Sequence, residues 1–154
     1  MSKKLKIEEN NKISSHVSLK EPYCTQWKED ILFEFGHITD KKNYSFGDLL
    51  NISDRKALQS YFELLDAISK ATWEELKLRP KTTKGGYEIF EYGCFEAHIA
   101  DKYNKSMSPD TKLLVFRFGN SDKYRMIGYK SHNCSRVIHI LGFDLDFTLY
   151  DHGK

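Results

Sequence analysis

The chain has little of what staples or punctuates small proteins. Its three cysteines, Cys24, Cys94 and Cys134, are an odd number with no CxxC spacing, which excludes a complete disulfide framework and a ribbon-type zinc site. Reduced thiols in a cytosol are the expectation, so we place the chain in the cytoplasm. No internal repeat or low-complexity block is present, which excludes solenoid and linker classes. The longest apolar run, Leu113 to Phe116, is far too short to cross a bilayer, and MSKKLKIEENNK holds no apolar stretch that would serve as a secretion signal. No membrane partner is expected. A net charge of +2 is too small to indicate nucleic acid by itself, so any electrostatic argument depends on where the charges lie.

What is present indicates a folded domain, since 154 residues with 14% aromatics can bury one core but not two comfortable ones. Residues 1–22 are polar and aperiodic and are read as a flexible arm, leaving 23–154 as a single α+β domain. WKEDILFEFGHI, from Trp27 to Ile38, sets Ile31, Phe33 and Phe35 against Leu32 and Glu34 as a first strand would. Lys41, Lys42, Asn43 and Gly47 break that pattern. A helix is expected from Ser53 as N-cap, with Ala57, Leu58, Tyr61, Phe62, Leu65 and Ile68 as its apolar stripe. Thr72 to Leu78, closed by Pro80, completes a helical hairpin. YEIFEY alternates as a strand after the basic loop of Lys81, Lys84, Gly85 and Gly86, whereas Cys94 to Tyr103 fits either a helical turn or extended chain. KLLVFRF, YRMIGYK and RVIHILGF, joined by GNSDK and SHNCS, form a β-meander. The expected fold is an antiparallel sheet of four to five strands with the hairpin on one face.

Basic residues concentrate in this meander: Lys112, Arg117, Lys123, Arg125, Lys130 and Arg136 stand against a single acid, Asp122. Strand alternation groups Arg117 with Leu113 and Val115, and Arg125 with Ile127 and Tyr129, so simple register makes the arginines neighbours. Guanidinium groups beside aromatics suit a polyanion, with Lys84, Lys112, Lys123, Tyr124, Tyr129 and Lys130 as the candidate RNA-binding set. Solvated strand cations paired with local acids are the competing reading. No metal is expected: Cys94 and His98 share an i, i+4 spacing, with His132, Cys134 and His139 elsewhere, but no zinc-motif spacing results. His139 reads as a half-buried histidine satisfied by one hydrogen bond. The acids Asp144, Asp146 and Asp151 read as solvent-facing.

Strand, helical hairpin and meander in that order, with LLVFRFGNSDKYRMIGY and the late Tyr150, resemble the RelE/ParE/HigB superfamily of small bacterial toxins. The resemblance covers Leu113 to His152 by motif and the hairpin by topology. It implies a toxin-like, metal-independent endoribonuclease acting on mRNA at the ribosome without a cofactor, with an antitoxin protein covering the basic face. Arg117 matches the basic residue of the family's first meander strand, Arg125 the arginine of its Tyr-Arg pair, and Tyr150 its late tyrosine. Those arginines would stabilise a phosphorane, and His152 would transfer the proton, oriented by Asp151 or Asp146. This chain differs at Asp144, Leu145, Asp146 and Phe147, where many relatives carry a basic cluster. A non-catalytic module of the same fold, binding a protein or RNA partner, is the alternative, and an unrelated α+β protein without enzyme activity is a third.

Overall fold

The structure, a computed structural model, describes residues 30–95, 99 and 107–149. The expected arm, 1–22, lies outside them, as do Trp27, His98, Tyr150, Asp151 and His152. Strand β1 (Leu32–Glu34) is followed by helices α1 (Phe46–Leu50), α2 (Arg55–Ser69) and α3 (Trp73–Leu78), then by strands β2 (Tyr87–Glu91), β3 (Lys112–Phe118), β4 (Tyr124–Lys130) and β5 (Val137–Asp144). The sheet order is β1-β5-β4-β3-β2. This is an α+β arrangement with two corrections to the expectation. The sheet is mixed, because β1 runs parallel to β5 while the other pairs are antiparallel. Among the described residues there are three α-helices, because Ser45 and Asp48 form a reciprocal capping box that starts α1 despite its shortness and its internal Gly47.

Helix α2 is capped by Asp54, one residue later than expected, whose carboxylate accepts from the N–H groups of Lys56 and Ala57 at 3.0 and 3.2 Å. Its buried stripe is Ala57, Tyr61, Leu64 and Ile68. Phe62 is 63% exposed. The buried stripe is therefore rotated slightly from the expected one, with Leu64 in place of Phe62 on the line that faces the sheet. Helix α3 is capped by Thr72, as expected, and Thr72 and Glu75 form its capping box.

Strand alternation divides the core in two. Leu114, Phe116, Phe118, Met126, Ile138, Ile140 and Phe143 pack under the helices. Leu113, Val115, Ile127 and Leu141 face the other side, beneath Tyr44, Phe95, Ile99, Met107 and Leu149. The turn between β3 and β4 needs left-handed backbone, supplied at Gly119 (φ 84°), Ser121 (54°) and Asp122 (52°). Ser60 Oγ of α2 accepts the Gly119 N–H at 2.9 Å, so the turn is tied to the helix.

The β4–β5 register slips at Ile127/Gly128: Ile127 opposes Gly142 and Gly128 opposes Ile140, leaving Leu141 as the extra residue of a bulge. A side chain at Gly128 would meet the His139 carbonyl oxygen at 2.6 Å, so only glycine lets the strands approach there.

In urea denaturation, Leu64→Ala is expected to cost about 2–5 kcal/mol, as for a fully buried leucine. Phe62→Ala, at an exposed position, is expected to change stability by less than about 1 kcal/mol. Equal losses would mean that the helix buries a different face.

Candidate functional site

The face turned away from the helices carries two polar groups at opposite ends of β4. At one end Arg117 lies directly opposite Arg125, as simple register predicts, and Arg125 lies opposite Asp144 on β5. The Arg117 guanidinium donates to Glu88 of β2 through Nη2 and through Nε, the latter at 2.9 Å. Lys81 adds a second cation to Glu88 at 3.3 Å. Burial pushes the Glu88 carboxyl up, but the hydrogen bonds and charges of Arg117 and Lys81 outweigh it and hold the group below its usual value.

Arg125 is only 4% exposed. Its Nη1 donates to the carbonyls of Asp122 and, at 3.1 Å, Tyr124, and its guanidinium lies 4.8 Å from the centre of the Phe147 ring. Among the described residues its Nε finds no hydrogen-bond acceptor. Asp144 is fully buried, contrary to the expectation that it faces solvent. Its carboxylate accepts the N–H groups of Asp146, Thr148 and Leu149 at 3.1–3.3 Å and so organises the exit from β5. Arg125 and Asp144 thus hold the end of the meander together. The proposed catalytic partners Tyr150 and His152 lie outside the described residues.

At the other end, Glu34 of β1 lies opposite His139 of β5, which lies opposite Tyr129 of β4. His139 Nδ1 is 3.1 Å from Glu34 Oε2, and His37 Nε2, from the turn after β1, is 3.0 Å from the same oxygen. The Gly36 N–H donates to Glu34 Oε1 at 2.6 Å. Tyr129 stacks on His139 with ring centres 4.9 Å apart, and the two imidazoles are 4.3 Å apart. Burial pushes the Glu34 carboxyl up, but hydrogen bonds from His139 and Gly36, with the charges of the two histidines, hold it lower than usual. Sequence reasoning missed this group because β1–β5 pairing joins residues 105 apart. The only local trace was the Glu34-x-x-His37 spacing.

The expected RNA-binding residues separate. Lys84 pairs with Glu63 on α2, and Lys123 lies 5.4 Å over the ring of Tyr124, which is buried on the helix side. Tyr129, its ring stacked on His139, lines the same cleft as Lys112 and Lys130. These two lysines come together with Lys77, His132, Trp73 and Tyr87 around that cleft, of about 550 Å³, between α3 and the sheet. Lys130 Nζ sits 4.5 Å over the Trp73 ring, whose N–H donates to the Ser135 carbonyl at 2.7 Å. Lys112 and Lys77 pair with Glu91 and Glu74. Cys94 is exposed. Among the described residues, no helix is long and apolar enough to cross a membrane.

Comparison with protein-family models, with curated proteins and with solved structures finds no match to this chain.

A carboxyl whose pKa is depressed by folding stabilises the protein above its usual value of 4.5 and loses that contribution as pH falls through the lower, folded value. Glu88→Gln is therefore expected to reduce the loss of thermal stability between about pH 6 and pH 3 relative to the native chain. Identical pH profiles in thermal melts would show that the Arg117–Glu88 pair contributes nothing.

Proposed function

We propose that this chain is an RNA-binding module, holding a single-stranded segment in the cleft between α3 and the sheet. The observation that carries the reading is the convergence of Lys77, Lys112, Lys130 and His132 around Trp73 and Tyr87. Cations track a phosphate backbone while aromatic faces stack on bases without demanding a sequence. The ion pairs of Lys77 and Lys112 are solvent-exposed, and such pairs are weak enough to be exchanged for phosphate. On this reading Arg125 is a structural cation, because a guanidinium covered by Phe147 and committed to backbone carbonyls is poorly placed to meet a phosphate.

One observation favours a second reading, a RelE/ParE/HigB-like toxin with an antitoxin partner: Arg117 and Arg125 do lie directly opposite each other. Such an enzyme would cut mRNA at the ribosome. Controlled expression in bacteria with growth and primer-extension readouts tests it, using Arg117→Ala as the comparison. Absence of both growth arrest and new mRNA ends with the native chain would remove that reading and leave the binding module.

For the module, anisotropy titrations with labelled single-stranded RNA are expected to show affinity that falls with salt, the logarithmic slope shrinking by about 0.7 for each phosphate-contacting lysine removed. Lys130→Glu should weaken binding by about tenfold or more, and Lys77→Glu should weaken it in the same direction, whereas Lys123→Glu, outside the cleft, should not. Binding indifferent to Lys130→Glu would rule the cleft out.

A further inference from the structure

We infer that Glu34, His37 and His139 form a binding site for a divalent transition-metal ion, on the sheet face turned away from the helices, with Tyr129 standing between it and the RNA cleft. Two imidazoles and one carboxylate are a donor set suited to zinc, iron(II), manganese or cobalt rather than to calcium or magnesium, which prefer all-oxygen cages. The three donor atoms lie within 4.8 Å of one another, and this is the one such group among the described residues.

The geometry is that of a coordination polyhedron lacking only modest closure. An ion bonded at about 2.0–2.2 Å to each donor separates neighbouring donors by roughly 2.9–3.5 Å. Glu34 Oε2 already stands 3.0 and 3.1 Å from the two imidazole nitrogens. The remaining adjustment falls on His37, which sits in a turn and not in the ladder, so its ring can move without disturbing the strand pairing. Without the ion the same distances are hydrogen bonds in which each imidazole donates to the carboxylate. Binding the ion replaces those protons.

The surroundings supply the supporting contacts that metal ligands use. The Gly36 N–H fixes the second carboxylate oxygen, and Tyr129 stacked on His139 fixes the plane of that ring. Side-chain exposures of 39% for Glu34, 21% for His37 and 16% for His139 leave the group open on one side. Three protein donors with an open side leave coordination positions for water or a small anion, as in catalytic centres and unlike closed structural sites.

The test uses the full chain after chelator treatment and removal of the chelator. Titration with zinc by calorimetry is expected to show one equivalent bound, with cobalt(II) giving the visible bands of an imidazole-ligated ion. Thermal stability should rise with zinc concentration, because the ion binds the folded state. His139→Ala and Glu34→Gln should each weaken binding by more than about tenfold, a loss seen even when supporting residues of metal sites are removed. His37→Gln, in the turn, should do the same with an unchanged chelator-treated melt, which separates ligand loss from misfolding. No binding by the native chain, or binding that all three variants retain, as residues such as His16 or Cys24 would produce, overturns the site.

Discussion

The bulge at Leu141 is the constraint on which the polar face depends. Strand β5 lies between β1 and β4, so its side-chain alternation decides what both neighbours meet. From His139 onward, strict alternation would carry Phe143 to the polar side and Asp144 under the helices. The extra residue at Leu141 reverses this after Ile140. Phe143 joins the helix-side core, and Asp144 turns to face Arg125. Gly128 makes the slip feasible, because its missing side chain leaves room for the His139 carbonyl. One glycine thus lets β5 present an imidazole toward β1 at one end and a carboxylate toward β4 at the other.

The two ends handle their charges differently. At the arginine end, Arg125 and Asp144 are removed from water and committed to backbone partners. Each buried charge is held by backbone groups of its own neighbourhood, so the two stabilise a particular exit from the sheet more than they offer a reactive surface. At the histidine end the groups remain partly in contact with solvent and share a single carboxylate oxygen, which leaves their protons and lone pairs exchangeable. Residues on one face of one sheet therefore differ in chemical availability because of cover and not because of residue type.

Much of the architecture was legible because local rules suffice for it. The three meander strands, their polar turns, the α3 cap at Thr72 and the opposition of Arg117 to Arg125 all follow from alternation and turn chemistry over a few residues. The parallel placement of β1 did not follow, since three residues of strand carry no record of the partner they will choose. Nor did the burial of Asp144, because a bulge is a property of two strands together. Reading Tyr124 as a stacking platform missed its burial for a related reason. Alternation says which residues share a face, but not whether another side chain already occupies the ring. The cleft residues Lys112 and Lys130 were legible as basic, while Trp73 and Lys77 join them only through the docking of α3.

The parallel pairing of β1 with β5 also orders events in time. β1 leaves the ribosome before every other described strand, and β5 after all of them. The hairpins β2–β3, β3–β4 and β4–β5 can close over shorter separations, whereas the β1–β5 pairing carries the larger entropic cost of long-range closure. Contact between Glu34 and His139 therefore reports the closure of a loop 105 residues long. A folding intermediate can possess the meander, the buried Arg125 and the helical core while the first strand is still undocked.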